Sequence, residues 1–357
     1  MKHSLAPLAA AAFLSLAAAH AAAAPTYRIK ELGPTPHGWA SQALAINDHD
    51  VVVGWVEQDR NGPQVAAVWQ ADGGVQTIGT LPGIATSFAT AVNQAGQVVG
   101  YAGSYDAPQA FLWDAGSGMR ALGAFDAAQP VSMANGISDD GVVVGTSVTA
   151  AGATHAFTWT AAGGFVDPFP TKPGAVAYAI GTHDEWVGGV AGKNSEAGVR
   201  VNAGGKRTDL GLLAADVPYA YGKALNTAGQ VVGSSGSESG TNHAFVWDKL
   251  HGMQDLGVLP GGTFSNALAV NDAGQVVGIS DIPAGRGTAD TPFYYDKHLG
   301  MVALTTLIAD DDPLKSEIQF DAAQAINNRG VIVANGLITK PGYANPRYRA
   351  FLLIPTN

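Results

Sequence analysis

The chain has 357 residues, of which 46% are hydrophobic, 46 are glycine, 19 are proline and none is cysteine, with a formal charge of −10. It is too apolar for a disordered protein and long enough for a substantial core, and its acidic balance opposes binding to nucleic acid or anionic membrane surfaces. The missing cysteines exclude disulfide staples, thiolate zinc sites and a cysteine nucleophile.

Residues 1–24, MKHSLAPLAAAAFLSLAAAHAAAA, combine a basic start at Lys2 and His3 with an Ala/Leu/Phe stretch and small-x-small sites. This pattern predicts a secretory signal peptide cut between Ala21 and Ala24, since Pro25 directly after a cut is unfavourable. A transmembrane helix would need about 20 strongly apolar residues, and this stretch is alanine-rich. Residues 25–357 are then the mature domain, with a formal charge of −11 once Lys2 is lost. A periplasmic or extracellular location follows as an expectation.

From there the chain repeats itself. The unit Ala-x-Ala-(Ile/Val/Leu)-Asn, a short polar turn, and Val-Val-Gly is clearest where it ends at Gly100, Gly233 and Gly278, and weaker at Gly54, Gly145, Gly188 and Ala334. The steps between these seven ends are 46, 45, 43, 45, 45 and 56 residues. Each copy resolves into four short runs rich in β-branched or aromatic residues, as in KALN, QVVGSS, HAFVWD and MQDLG, which reads as an antiparallel meander. The first turn carries Gly96, Gly141, Gly229, Gly274 or Gly330 where a tight hairpin needs positive φ. Asp50 and Asp184 stand there in two copies, and aspartate tolerates that region. Trp69, Trp113, Trp159, Trp247 and Tyr295 recur in the third run and predict packing between adjacent sheets. Small residues such as Ala43, Ala45, Ala267 and Ala269 in the first run predict crowding near a central axis.

Seven four-stranded units of about 45 residues match the period of β-propeller blades. The two ends of the chain complement each other. The last copy runs through AQAIN, GVIVANG and RAFLLIP without a fourth strand, while Tyr27–Gly33, YRIKELG, aligns with the fourth strand of other copies. The N-terminal strand is therefore predicted to complete the last blade and close the ring. A parallel β-helix, the runner-up, explains neither this complementarity nor the hairpin turns.

A propeller places its tight turns on one face and its second-to-third-strand loops on the other. Those loops vary most, at Val56–Gln64, Ala102–Pro108, Ser234–Asn242, Asp281–Thr291 and Asn335–Arg347, so the loop face is the expected ligand face. Tyr105, Tyr219, Tyr221, Arg286, Tyr343, Arg347 and Tyr348 are its candidate binding residues, because aromatic and arginine side chains dominate binding hot spots. His155 and His243 recur with the repeat and no carboxylate keeps a matching spacing, so a structural role is expected over a metal pair. Asp310–Asp312 reads as a solvated acidic loop, with calcium as the alternative; no cofactor is otherwise expected. Asn47, Asn93, Asn226, Asn271 and Asn327 precede the turns and are expected to bond the turn backbone. The fourth copy departs furthest, with His183-Asp184-Glu185-Trp186 and Arg200-Val201, and reads as loss of the consensus. Common catalytic fingerprints are absent from the sequence.

The motif AINxxGQVVG followed by HAFxWxxxxGMxDLGxLPGGxxSxA resembles the HAF repeats of probable extracellular bacterial proteins. His155–Phe157, His243–Phe245 and Asp255–Ala267 carry the likeness, and it extends over essentially the whole mature chain. Gln109–Phe111, Pro292–Phe293 and the fourth copy depart from it. The resemblance implies export and repeat architecture, and brings no reaction, cofactor or catalytic residue. The leading expectation is a monomeric, non-enzymatic exported propeller that binds an envelope or extracellular protein or glycan through its loop face, without membrane insertion or nucleic-acid partner. The competing expectation is a periplasmic or secreted hydrolase or lyase with a site at the channel mouth, and the third a purely structural envelope component.

Overall fold

The computed structural model describes residues 24–33, 38–192, 195–285, 287–340 and 345–356; the expected signal peptide, up to residue 23, lies outside them. The described residues form seven four-stranded antiparallel sheets, each packed against the next around a ring. This is the seven-bladed propeller the repeat predicts. No helix among them is long and apolar enough to cross a membrane. The inner strands, blades one to seven in order, are Ala40–Ile46, Ser87–Val92, Ser132–Ile137, Ala175–Ile180, Ala220–Leu225, Ser265–Val270 and Ile318–Ile326.

The ring closes as the chain ends suggest. Tyr27–Leu32 is the outer strand of blade seven, paired with Arg347–Pro355 from Tyr27↔Pro355 to Leu32↔Ala350. Its other edge is covered by the long link into the last blade, where Ile308 bridges Tyr27 and the Ile29 N–H donates to Asp312 Oδ2 at 2.8 Å. Asp311 pairs with Arg28 at 2.7 Å and Asp310 with Lys315 at 2.8 Å. Asp311 and Asp312 thus clasp the N-terminal strand, while the side chains of Asp310 and Asp311 stay exposed as a solvated loop would have them. Covering an open strand edge in this way removes a template for aggregation. The rest of the long last step is a lengthened hairpin, Val276–Ala284 with Gly287–Asp296, so the expected Asp281–Thr291 loop is largely paired strand.

Each inner strand carries a bulge. In blades one to six the register slips past Leu44, Thr90, Asn135, Tyr178, Lys223 and Leu268. A bulge bends its strand and pushes one backbone segment toward its partner. The glycine of Val-Val-Gly lies under that segment: a Cβ on Gly100 would fall far inside van der Waals contact of the Phe88 carbonyl oxygen, and one on Gly233 would meet that of Tyr221. Blade seven tests the rule. There the inner strand has a second slip at Asp321, Ala334 occupies the consensus glycine position, and Gly336 instead faces a carbonyl oxygen, that of Gln319.

The tight turns take the conformation expected, including Asp50 at φ 57° and Asp184 at φ 55°. The asparagines do more than cap their turns. Asn47 Oδ1 accepts from the His49 and Val51 N–H groups at 3.0 Å, and its Nδ2 donates to the Asn93 carbonyl of the next blade at 3.0 Å. Asn93, Asn226, Asn271 and Asn327 repeat that donation, to Ser138, Asn271, Asn327 and Asn47. A second set of ties uses buried serines at the start of inner strands: Ser41, Ser87, Ser132 and Ser265 each accept an N–H from the third strand of the preceding blade. Both sets lapse around blade four, where Ser138 and Gly181 replace asparagine and Ala175 and Ala220 replace serine.

Buried aromatic rings fill the space between sheets, with Trp69, Phe111, Phe157, Phe245 and Phe293 nearly or fully inaccessible. Ala45 and Ala269 line the central channel, whereas Ala43 and Ala267 are buried between blades. Blade four is an exchange and not a decay. Where other blades set Val98 opposite Trp113 or Val231 opposite Trp247, blade four sets Trp186 opposite Val201, so the large ring moves to the other strand and the volume is kept.

Two substitutions test these accounts. Gly100→Ala should lower stability by about 1–3 kcal/mol in chemical denaturation, because a methyl group must displace a ladder carbonyl; an unchanged midpoint would mean the carbonyl can withdraw freely. Trp186→Val should cost about 2–4 kcal/mol by opening a cavity, and adding Val201→Trp should restore most of it, since contacting residues are coupled. Failure of the double variant to recover would refute the exchange.

Candidate functional site: the loop-face mouth of the channel

The axis opens on the loop face among side chains from six blades. Trp55 Nε1 donates to Gln42 Oε1 at 2.8 Å, and the Trp55 ring meets Phe88 edge-on at 6.4 Å. Phe88 stacks on Tyr101 at 4.9 Å. Across the ring, Tyr221 packs against Tyr178 at 5.5 Å and Tyr219 at 5.7 Å, and accepts a hydrogen bond from Asn266 Nδ2 at 2.8 Å. Tyr348 Oη donates to Asp321 Oδ1 at 3.2 Å, which brings in blade seven. These contacts join residues far apart in sequence, and the closed ring of blades is what assembles them.

Two carboxyl groups sit among these rings. Glu196 folds inward because Gly189 stands opposite its blade-four ladder; a Cβ there would collide with the Glu196 carboxylate. Burial raises the Glu196 pKa above the usual carboxylate range. Asp321 is also raised, by burial first and by the charge of Asp290, against the opposing bond from Tyr348. Burial likewise raises the phenols of Tyr219 and Tyr348, and that of Tyr178 to about 12, so all remain protonated donors at neutral pH.

One layer deeper, the bulged residues face the axis. Leu44, Thr90, Asn135, Tyr178, Lys223, Leu268 and Gln324 line a channel cavity of about 380 Å³. At its turn-face end Ile46, Val92, Ile137, Ile180, Leu225, Val270 and Ile326 form an aliphatic collar.

Of the sequence-predicted residues, Tyr219, Tyr221 and Tyr348 converge at this mouth. Tyr105 stands at a loop tip, 79% exposed, near enough to the mouth for its hydroxyl to act on the phenols of Tyr101 and Tyr178, and beside a shallow groove that includes Pro108, Met133 and Thr146. Arg347 turns elsewhere: its guanidinium lies 5.0 Å from the Trp39 ring, which Arg60 also approaches at 5.2 Å, and it donates to the Gly38 carbonyl at 3.2 Å. Arg286 and Tyr343 lie outside the described residues. Sequence reasoning missed Trp55, Phe88, Tyr101, Tyr178, Glu196, Lys223, Asn266 and Asp321. For Tyr178 and Lys223 the signal was present, as the variable x inside Ala-x-Ala-like inner strands.

The repeated histidines require a correction. His155 Nδ1 lies 2.8 Å from Asp167 and His243 Nδ1 lies 2.9 Å from Asp255, the same 12-residue spacing in both copies. A carboxylate does keep step with them, and it serves to fasten the outer strand to the third. In blade four, Arg200 Nε donates to Glu185 at 2.9 Å, so those charges neutralise each other within the blade. Among the described residues no three His, Asp or Glu side chains gather as a metal cage would.

The Glu196 carboxyl gives a pH signature. Its folded pKa is raised, so the ionised form opposes folding: the stability is full below the ordinary glutamate pKa of about 4.3 and is lost as pH rises through the folded value. Glu196→Gln should therefore flatten the decline in melting temperature from about pH 4 upward relative to the wild type. Parallel pH profiles for the two proteins would show that Glu196 is not desolvated.

Neither a protein-family model nor a curated protein sequence matches this chain. Among solved structures, one described as a streptogramin B lyase superposes with a TM-score of 0.55 at 10% identity, over 93% of this chain and 98% of that one. Oligogalacturonate lyase from Vibrio parahaemolyticus gives 0.53 at 9% identity, over 91% and 93%. An extracellular domain attributed to a hybrid two-component system of B. thetaiotaomicron gives 0.53 at 11% identity, over 91% of this chain and 39% of that one. At such identities the likeness is one of fold alone: this chain shares the propeller scaffold with proteins of several different activities.

Proposed function

We propose that this chain is an exported propeller that binds a glycan at the loop-face mouth of its channel. The observation that carries the reading is the convergence there of Trp55, Phe88, Tyr101, Tyr178, Tyr219 and Tyr221 with the amides of Gln42 and Asn266 and the carboxyls of Glu196 and Asp321. Ligand sites are apolar and aromatic surfaces with a few placed polar groups. Flat rings cover the C–H faces of a sugar, while amides and protonated phenols meet its hydroxyls. Export rests on the basic start and alanine-rich stretch of residues 1–24 and on the resemblance to HAF-repeat proteins. The enzymatic alternative rests on Glu196 and Asp321, whose raised pKa values would suit a general acid.

A glycan array probed with the purified protein from Tyr27 onward, followed by calorimetry, tests the reading. Tyr221→Ala and Phe88→Ala should each weaken binding about tenfold, about 1.4 kcal/mol, with the melting temperature of the free protein little changed. Binding that survives both substitutions would move the site away from the mouth. Capture of an envelope protein in place of any glycan would replace the glycan reading, and cleavage of a bound glycan would establish the enzymatic one.

A further inference from the structure

Resting on that reading, we propose that the bound glycan is acidic, and that a carboxylate on it enters the channel below the mouth and takes the Lys223 ammonium as its counter-ion. Lys223 occupies the bulge of blade five and is, among the described residues, the one charged side chain lining the channel cavity. Its ammonium lies 4.8 Å from the Tyr178 ring centre, and among the described residues it meets no carboxylate and no hydrogen-bond acceptor. The residue is half-buried, walled by the inner strands and reached by solvent only along the open axis. Desolvation lowers its pKa and no neighbouring charge offsets the effect.

An ammonium confined to a narrow channel keeps less of its hydration than one on the surface, and an anion entering the channel would make up the difference. Other cations described above meet carboxylates: Arg200 has Glu185, Arg28 has Asp311, Lys315 has Asp310. Lys223 keeps only a ring face, an interaction that favours the cation without neutralising it. The surroundings suit an anion's second oxygen as well. Tyr178 is a protonated phenol on the same wall, and Thr90, Asn135 and Gln324 complete a polar belt in an otherwise aliphatic channel. The direction of entry is fixed by the aliphatic collar at the turn-face end, which a carboxylate would have to cross desolvated. The mouth offers the polar route. A sugar ring held among the aromatic side chains can extend a carboxylate inward by one layer, while a neutral sugar leaves the ammonium unmatched.

The test compares a glucuronate-containing oligosaccharide with its methyl ester, by calorimetry, on the mature protein and on Lys223→Met and Lys223→Arg. The acid should bind the wild type at least tenfold more tightly than the ester. Lys223→Met should abolish that preference while keeping the weaker binding of the ester, and should melt no lower than the wild type, because it removes an unpaired charge from the channel. Lys223→Arg should keep part of the preference. Equal affinity of the wild type for acid and ester, or a preference that persists in Lys223→Met, would overturn the role of Lys223 and leave glycan binding at the mouth standing. Binding of neither, with acidic peptides bound instead, would overturn both.

Discussion

The structure depends on a bulge in each inner strand, single in blades one to six and doubled in blade seven. A bulge there inclines the strand toward the axis, and it has two effects that are inseparable. It drives a carbonyl oxygen against the second strand, so that only glycine fits beneath it, as at Gly100 and Gly233. It also frees one side chain per blade from the ladder and turns it to the channel, where Tyr178 and Lys223 meet. The glycine that marks the repeat and the side chains that mark the site are therefore products of the same backbone irregularity.

The fold was legible in the sequence because its devices are local and repeated. A turn residue at positive φ recurs in all seven copies and a ring at a fixed place in the third strand in five, and against that repetition the fourth strand missing from the last copy stands out. The site was only half legible, since tyrosine at the loop face, as at Tyr219, Tyr221 and Tyr348, is a compositional clue and nothing more. Arg347 satisfied the same clue and turned instead to Trp39. Tyr178 and Lys223 stood in the freest column of the repeat, and which neighbours they meet is decided by closure of a ring, across steps of 45 residues that no local pattern encodes. The histidine–aspartate pairs teach a different lesson. Their common spacing was visible in the chain, and comparing the third strand with the fourth in each copy would have revealed it. Blade four looked degenerate because each position was compared with its consensus singly; compared in pairs, Trp186 and Val201 preserve the packing.

The electrostatics of the mouth differ from those of the whole chain. The protein is acidic overall, yet at the mouth burial shifts the carboxyls of Glu196 and Asp321 toward the neutral form, and the cation below them meets no anion among the described residues. Aromatic walls lower the local dielectric and make each of these groups count for more than a surface charge would. A site of this kind discriminates by the charge of what enters it, because an unmatched group is penalised more heavily than a matched one is rewarded.

The ties between blades have a consequence for how the molecule comes apart. The asparagine ties run without a break from blade five through blades six, seven, one and two to blade three, and serine ties accompany them at every junction of that arc except the one between blades six and seven. That arc crosses the junction where the two ends of the chain meet. Local opening begins where stabilising bonds are fewest, which here is blade four, in the middle of the sequence. The first and last strands, ordinarily among the first parts of a protein to fray, are fastened into the most continuous portion of the ring, and the junctions without these ties lie opposite them.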